Sequence, residues 1–124
     1  MTIDEQLFFR ADNLNQAIQQ LTIFHNSYVD TQQQQIIDIS HLSETETNKI
    51  NEILGEGEIS IKVTGFFSVS IQESIYAGIW RTHIYEKTDQ RLYDLIEIGH
   101  FPDVTRFIDH FSDPDDLTAI ANSA

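Results

Sequence analysis

From residue 58 to 71 the chain alternates between polar and apolar positions. Ile59, Ile61 and Val63 are interleaved with Glu58, Ser60, Lys62 and Thr64; after Gly65, Phe67, Val69 and Ile71 are interleaved with Ser68 and Ser70. A period of two sends successive side chains to opposite faces of a strand, and two such runs around a glycine predict a β-hairpin. The alternation carries on through residues 72–81, which read as the start of a third strand. On that reading Tyr76, Gly78, Trp80, Thr82 and Ile84 share one face, and Ile75, Ala77, Ile79 and Arg81 share the other. Residues 86–90 form a polar turn, and residues 91–98 a fourth strand with Leu92, Leu95, Ile96 and Ile98 apolar. Short links between consecutive strands favour an antiparallel meander.

On either side of this region the period is helical. Leu14, Ala17, Ile18, Leu21, Phe24 and Tyr28 make one apolar stripe, opened by Asn13 as cap with Gln16 as its reciprocal partner. Ser43 and Glu46 form a capping box, which predicts a helix running to about Leu54 with Gly55 at its C-terminal end. Ile50, Ile53 and Leu54 are the core face of that helix. Glu44 and Glu46 suit the positive end of its dipole. Between these helices Ile36, Ile37 and Ile39 make a short β-branched segment able to add a fifth strand. Leu7, Phe8 and Phe9 suggest a short helix or arm. Asp103 caps a last helix with Val104, Phe107, Ile108 and Phe111 on one face, and Asp113-Pro114 can open a further turn. The expectation is a single α+β domain over residues 1–124, an antiparallel sheet of four strands (five with residues 36–39) with helices packed mainly on one face. The opposite face, carrying Glu58, Ser60 and Lys62, is expected to be wet.

Composition narrows the function. The 124 residues suit one domain with a core of its own. Seven basic residues against twenty acidic ones give a formal charge of −13, a field that repels phosphate backbones and anionic lipid heads. Nucleic acid and membrane surfaces are therefore excluded as partners. No basic region followed by an apolar run opens the chain, and no apolar run is long enough to span a bilayer. A cytoplasmic protein is the expectation. With no cysteine, disulfides and thiolate chemistry are absent.

Candidate chemistry is sparse. The five histidines, His25, His41, His83, His100 and His110, include no pair at the spacing of a helical zinc site, so no metal or cofactor is expected. Ser74, His83 and Asp94 could be drawn as a triad, but no Gly-x-Ser-x-Gly elbow accompanies them; Ser74 reads as a strand-end serine whose hydroxyl bonds backbone. Gly55-Glu56-Gly57-Glu58 enters a strand rather than a helix and carries two acids, so it reads as a turn and not a phosphate loop. Glu73, flanked by apolar residues, is expected to pair with Arg81 or Lys62. Trp80, the one tryptophan, reads as core; Tyr76 and Arg81 read as contacts for a protein partner.

Three motifs carry a resemblance. Leu-Gly-Glu-Gly-Glu-Ile-Ser over residues 54–60, Ile-Gln-Glu-Ser-Ile-Tyr-Ala-Gly-Ile-Trp-Arg over residues 71–81 and Ile-Glu-Ile-Gly-His-Phe-Pro over residues 96–102 together resemble the C-terminal domain of the HupH/HyaF hydrogenase expression and formation proteins. The second motif is the most specific. Family members have a further N-terminal region, so the chain is expected to be that one domain standing alone. The resemblance implies an accessory factor in nickel–iron hydrogenase maturation, not an enzyme. It would bind a hydrogenase subunit precursor and other maturation factors. The positions carried over are Gly55, Glu56, Gly57, Glu58, Gln72, Glu73, Ser74, Gly78, Trp80 and Arg81; with Tyr76 these supply the expected protein-binding surface. The competing expectation is a small acidic metal-handling protein or enzyme using Glu73 and His83. A third is a homodimer pairing along a sheet edge.

Overall fold

The structure is a computed structural model and describes residues 8–31, 34–65, 67–88 and 90–102. Its elements in chain order are β1 (Phe8–Arg10), α1 (Leu14–Thr31), β2 (Gln35–Asp38), α2 (Glu44–Leu54), β3 (Ser60–Val63), β4 (Ser68–Glu73), β5 (Ile79–Tyr85) and β6 (Arg91–Ile98). The helix expected from Asp103 and the turn at Pro114 lie outside the described residues.

Both described helices begin as their caps dictate. The Asn13 side chain accepts from the Gln16 amide at 2.9 Å, while Gln16 returns to the amide of Asp12, one residue before the expected position. The Ser43–Glu46 box is complete. Glu46 does more: its second carboxylate oxygen accepts from the Leu14 amide at 2.7 Å. One side chain thus satisfies an orphan donor at the start of each helix. Bonds donated by the Leu14 amide, the largest cause, and by the Ser43 amide and hydroxyl hold the Glu46 carboxyl below its ordinary range.

Among the described residues the sheet has six strands in the order β1-β2-β6-β5-β4-β3. It is mixed, not the four- or five-stranded antiparallel sheet expected: β1 runs parallel to β2, with Phe9 opposite Ile37. The missed strand is only three residues long, too short for periodicity to reveal. α1 supplies the crossover that a parallel pair requires. The remaining pairs are antiparallel, as the meander pattern predicts.

Residues 72–81 are not one strand. β4 ends at Glu73, a turn occupies residues 74–78, and β5 starts at Ile79. The Ser74 hydroxyl donates to the Tyr76 carbonyl at 2.9 Å and accepts from the Tyr76 amide at 3.0 Å. Gly78 takes φ +81°, which L side chains rarely adopt. This local bonding competes with the sheet ladder and wins.

α1 and α2 share one face of the sheet, where Ala17, Phe24, Ile50 and Leu54 meet Ile37, Ile79, Ile96 and Ile98. The opposite face holds a second apolar cluster of Ile36, Val69, Ile71, Trp80, Ile84 and Leu95. The expectation of a wet face opposite the helices is therefore corrected. Register puts Ser60 and Lys62 across from Gln72 and Ser70, which face Arg81 and His83. They stand on the helix-bearing side, toward the β3 edge, while Ile61 and Ile71 turn the other way.

Candidate docking site

The turn after α2 folds onto the end of β4. The Gly57 amide donates to the Glu73 carbonyl at 2.7 Å, the Glu73 amide donates to Ile59 at 2.9 Å, and the Ile75 amide donates to Leu54 at 2.8 Å. The Gln72 side-chain amide reaches the carbonyls of Gly57 at 3.1 Å and Glu73 at 3.0 Å. The Glu73 carboxylate accepts from the amides of Glu58 at 3.1 Å and Ile59 at 3.4 Å. Neither Arg81 nor Lys62 pairs with it, against expectation; the approach of two backbone donors takes that place. Glycine is required at both turn positions. Gly55 has φ +60°, and a Cβ on Gly57 would fall 2.5 Å from Glu73 Oε1.

The third motif closes on the same end of the sheet. The Gly99 amide donates to the Gly78 carbonyl at 2.9 Å, and Trp80 Nε1 donates to the Gly99 carbonyl at 3.1 Å. The Phe101 ring lies 5.5 Å from that of Trp80. Three separate stretches of sequence are thus one structural unit, joined largely by main-chain bonds.

Of the expected contact residues, Glu56 and Glu58 are exposed, and Gln72, Glu73 and Gly78 are half-buried. Tyr76 is 46 % exposed, and its neighbour Ile75 is 61 % exposed. Ser74, Trp80 and Arg81 lie beneath the surface, at 3 %, 3 % and 4 %. Trp80 is core, as its composition suggests, but Arg81 cannot serve as a surface contact. Phe101, which the sequence groups with Tyr76 and Trp80 as the aromatic weight near the sheet end, is 58 % exposed; Ile75 is not among the expected contact residues, and its apolar bulk between Ser74 and Tyr76 was the available signal. Beside Tyr76 an apolar groove of about 230 Å³ runs past Ile18, Leu21 and Ile53.

Arg81 belongs to a buried polar cluster under α2. Its guanidinium donates to Asn51 and to Asp94. His83 Nε2 lies 3.3 Å from Asp94 Oδ1, and Arg91 lies 3.5 Å from Oδ2. Burial would raise the Asp94 carboxyl, but the hydrogen bond to His83 and the charges of Arg81 and His83 outweigh it and hold it below its ordinary value. The Asp94 main chain is anchored in turn by the Ser40 hydroxyl, which accepts from its amide at 2.9 Å. The alternative reading that joins Glu73 to His83 fails on register. Glu73 faces Trp80 and His83 faces Ser70; three residues apart along the ladder, they project to opposite sides. Ser74 is likewise engaged with Tyr76 at the far end of β4, so Ser74, His83 and Asp94 make no triad. Among the described residues no group of three or more histidines and acids is arranged to hold a metal ion.

Comparison with known proteins places this geometry. Residues 11–120 match the family model described as the HupH hydrogenase expression protein, C-terminal conserved region. The chain is 36 % identical over 70 residues to the hydrogenase expression/formation protein HoxQ of Cupriavidus necator, a match covering 56 % of this chain and 24 % of HoxQ. It is 32 % identical over 68 residues to the hydrogenase-1 operon protein HyaF of Escherichia coli, covering 53 % of this chain and 24 % of HyaF. The matched stretch is thus about a quarter of each relative's length. The fold is similar to that of the hydrogenase expression protein HupH from Thiobacillus denitrificans, with a TM-score of 0.68 at 17 % identity over 89 % of both chains. The chain belongs to the family of the HupH hydrogenase expression protein C-terminal conserved region.

Proposed function

We propose that this chain is an accessory factor in nickel–iron hydrogenase maturation that acts in the cytoplasm by binding a hydrogenase subunit precursor, without catalysing a reaction. The observation that carries the reading is the convergence of the three motifs on one sheet end. Main-chain bonds of Gly57, Gly78 and Gly99 lock this end of the sheet, which exposes Ile75 and Tyr76 on the turn between β4 and β5, near Glu56 and Glu58, and Phe101 separately against Trp80. A rigid aromatic and aliphatic patch with a charged rim is the usual form of a protein-binding surface. In this reading Tyr76 and Ile75 touch the precursor, and Ser74, Trp80 and Arg81 hold the surface in shape.

The names of the relatives support a role in hydrogenase expression or formation, and the mixed polarity of the patch supports binding rather than chemistry. Affinity-tagged protein from hydrogenase-producing cells should co-purify a hydrogenase subunit in its precursor form. Recovery of only mature, assembled hydrogenase, or of no subunit at all, would refute the proposal.

A further inference from the structure

β3 is an edge of the sheet: among the described residues it pairs with β4 alone. The Glu73 amide donates to the Ile59 carbonyl at 2.9 Å. Alternation along an antiparallel ladder therefore turns the main-chain groups of Ile59, Ile61 and Val63 toward β4 and those of Ser60 and Lys62 outward. Ser60 and Lys62 are exposed, so this edge is open. Outward N–H and C=O groups are a template for another strand, and of the devices that usually blunt them (charge, proline, a bulge) β3 carries only Lys62.

The side chains of this edge are complementary to themselves. Ile59 and Val63 are each 41 % exposed, with half-buried Ile61 between them packed against the cluster that holds Val69 and Ile71. An antiparallel copy of β3, related by a two-fold axis at Ile61, covers all three: Ile61 meets its counterpart and Ile59 meets Val63. On the opposite side Ser60 meets Lys62, and Lys62 reaches diagonally to Glu58. Two neighbouring registers also set outward groups against outward groups, and both are poorer. An axis at Lys62 puts two lysines face to face. An axis at Ser60 needs the amide of Glu58, which already donates to the Glu73 carboxylate at 3.1 Å.

We propose that β3 pairs with β3 of a second copy of this chain, joining two sheets across a two-fold axis at Ile61. The amide and carbonyl of Ser60 exchange bonds with those of Lys62 in the second copy, and symmetry repeats the exchange. A strand of four residues offers far less than the roughly 1,200 Å² of a stable interface, and the formal charge of −13 on each copy opposes approach. The dimer is therefore weak and reversible, with a dissociation constant on the order of 1 mM, and added salt strengthens it. It is independent of the precursor reading, whose contacts are Ile75 and Tyr76.

The test is sedimentation equilibrium of the purified chain alone, up to about 2 mM, with isotope-filtered NMR of a mixture of labelled and unlabelled chains. The wild type should dimerise, and the filtered spectrum should place Ile59 of one copy beside Val63 of the other. Lys62→Pro removes an outward N–H that β4 does not use, at an edge position that tolerates proline; it should keep the fold and abolish the dimer. Glu58→Lys lessens the net negative charge, yet should weaken the dimer about fivefold, because the new lysine meets Lys62 at two symmetric places. Lys62→Glu should weaken it similarly, and the double swap Glu58→Lys/Lys62→Glu should restore the wild-type constant. A general charge effect would instead make Glu58→Lys tighter. A chain still monomeric at the highest concentration, a dimer that survives in folded Lys62→Pro, tightening by Glu58→Lys, or intermolecular contacts confined to another surface would each overturn the proposal. Should Lys62→Pro fail to fold, a double swap that does not restore the dimer would overturn it as well.

Discussion

Gly57 sits so close to Glu73 that no side chain fits between them: a Cβ there would lie 2.5 Å from Glu73 Oε1 and 2.7 Å from the carbonyl oxygen of Ser74. The carboxylate could swing aside, but the backbone carbonyl could not without moving the turn that carries Tyr76. Gly57→Ala should therefore destabilise the fold by about 1–3 kcal/mol, the range for overpacking. Gly65, whose added Cβ would meet nothing closer than 3.9 Å, is the control: Gly65→Ala should shift the urea midpoint little. Equal midpoints for the two variants would contradict the close packing.

Glu73 holds its place by accepting from the Glu58 and Ile59 amides. Glu73→Gln keeps an acceptor oxygen and should cost less than Glu73→Ala, which removes both bonds and should cost about 1–2 kcal/mol. Chemical denaturation of the pair separates this account from a surface ion pair, for which the two changes would cost the same.

Trp80, the sole tryptophan, reports directly on the third motif. Buried at 3 % exposure and bonded to the Gly99 carbonyl, it should emit at short wavelength and resist aqueous quenchers. Trp80→Phe should cost about 1 kcal/mol for the lost bond in addition to any packing loss, and Trp80→Ala about 3–5 kcal/mol. Ready quenching in the native protein would place the ring at the surface instead.

These motifs were legible in the sequence as residues but not as a junction. The Ser43–Glu46 box, the hairpin around Gly65 and strand β6 follow from local rules, because each is decided by neighbours within a few positions. The turn at residues 74–78 was hidden by Ile75, Tyr76 and Ala77, whose apolar run imitates a strand. The informative pair was Ser74, which can bond its own backbone, and Gly78, which alone accepts a positive φ. Strand β1 was invisible because three residues carry no period. Arg81 and Asp94 look like ordinary surface charges in sequence. Only the β5–β6 register, which sets His83 opposite Asp94, brings them together beneath α2.

The buried cluster makes stability depend on acidity. Asp94 is held below its ordinary value of 3.8. A carboxyl depressed in the folded state contributes stability that is complete above its unfolded pKa and is lost as pH falls through the folded one. Stability should therefore decline on acidification below about pH 4, and Asp94→Asn should remove part of that decline. At neutral pH the same change should cost about 3–5 kcal/mol, since it leaves Arg81 buried without its counter-charge. Thermal melts across the acid range check both effects; parallel profiles for wild type and variant would contradict the assignment.

The central claim is that the junction of the three motifs is a docking surface for a hydrogenase subunit precursor. Its most direct measurement is the amount of precursor co-purifying with the wild-type chain and with an Ile75→Ser/Tyr76→Ala double variant, from the same hydrogenase-producing cells. Both side chains are exposed, so the variant should keep its free energy of unfolding in urea within about 0.5 kcal/mol yet recover at most about a tenth of the precursor. Undiminished recovery by a folded double variant would contradict the account.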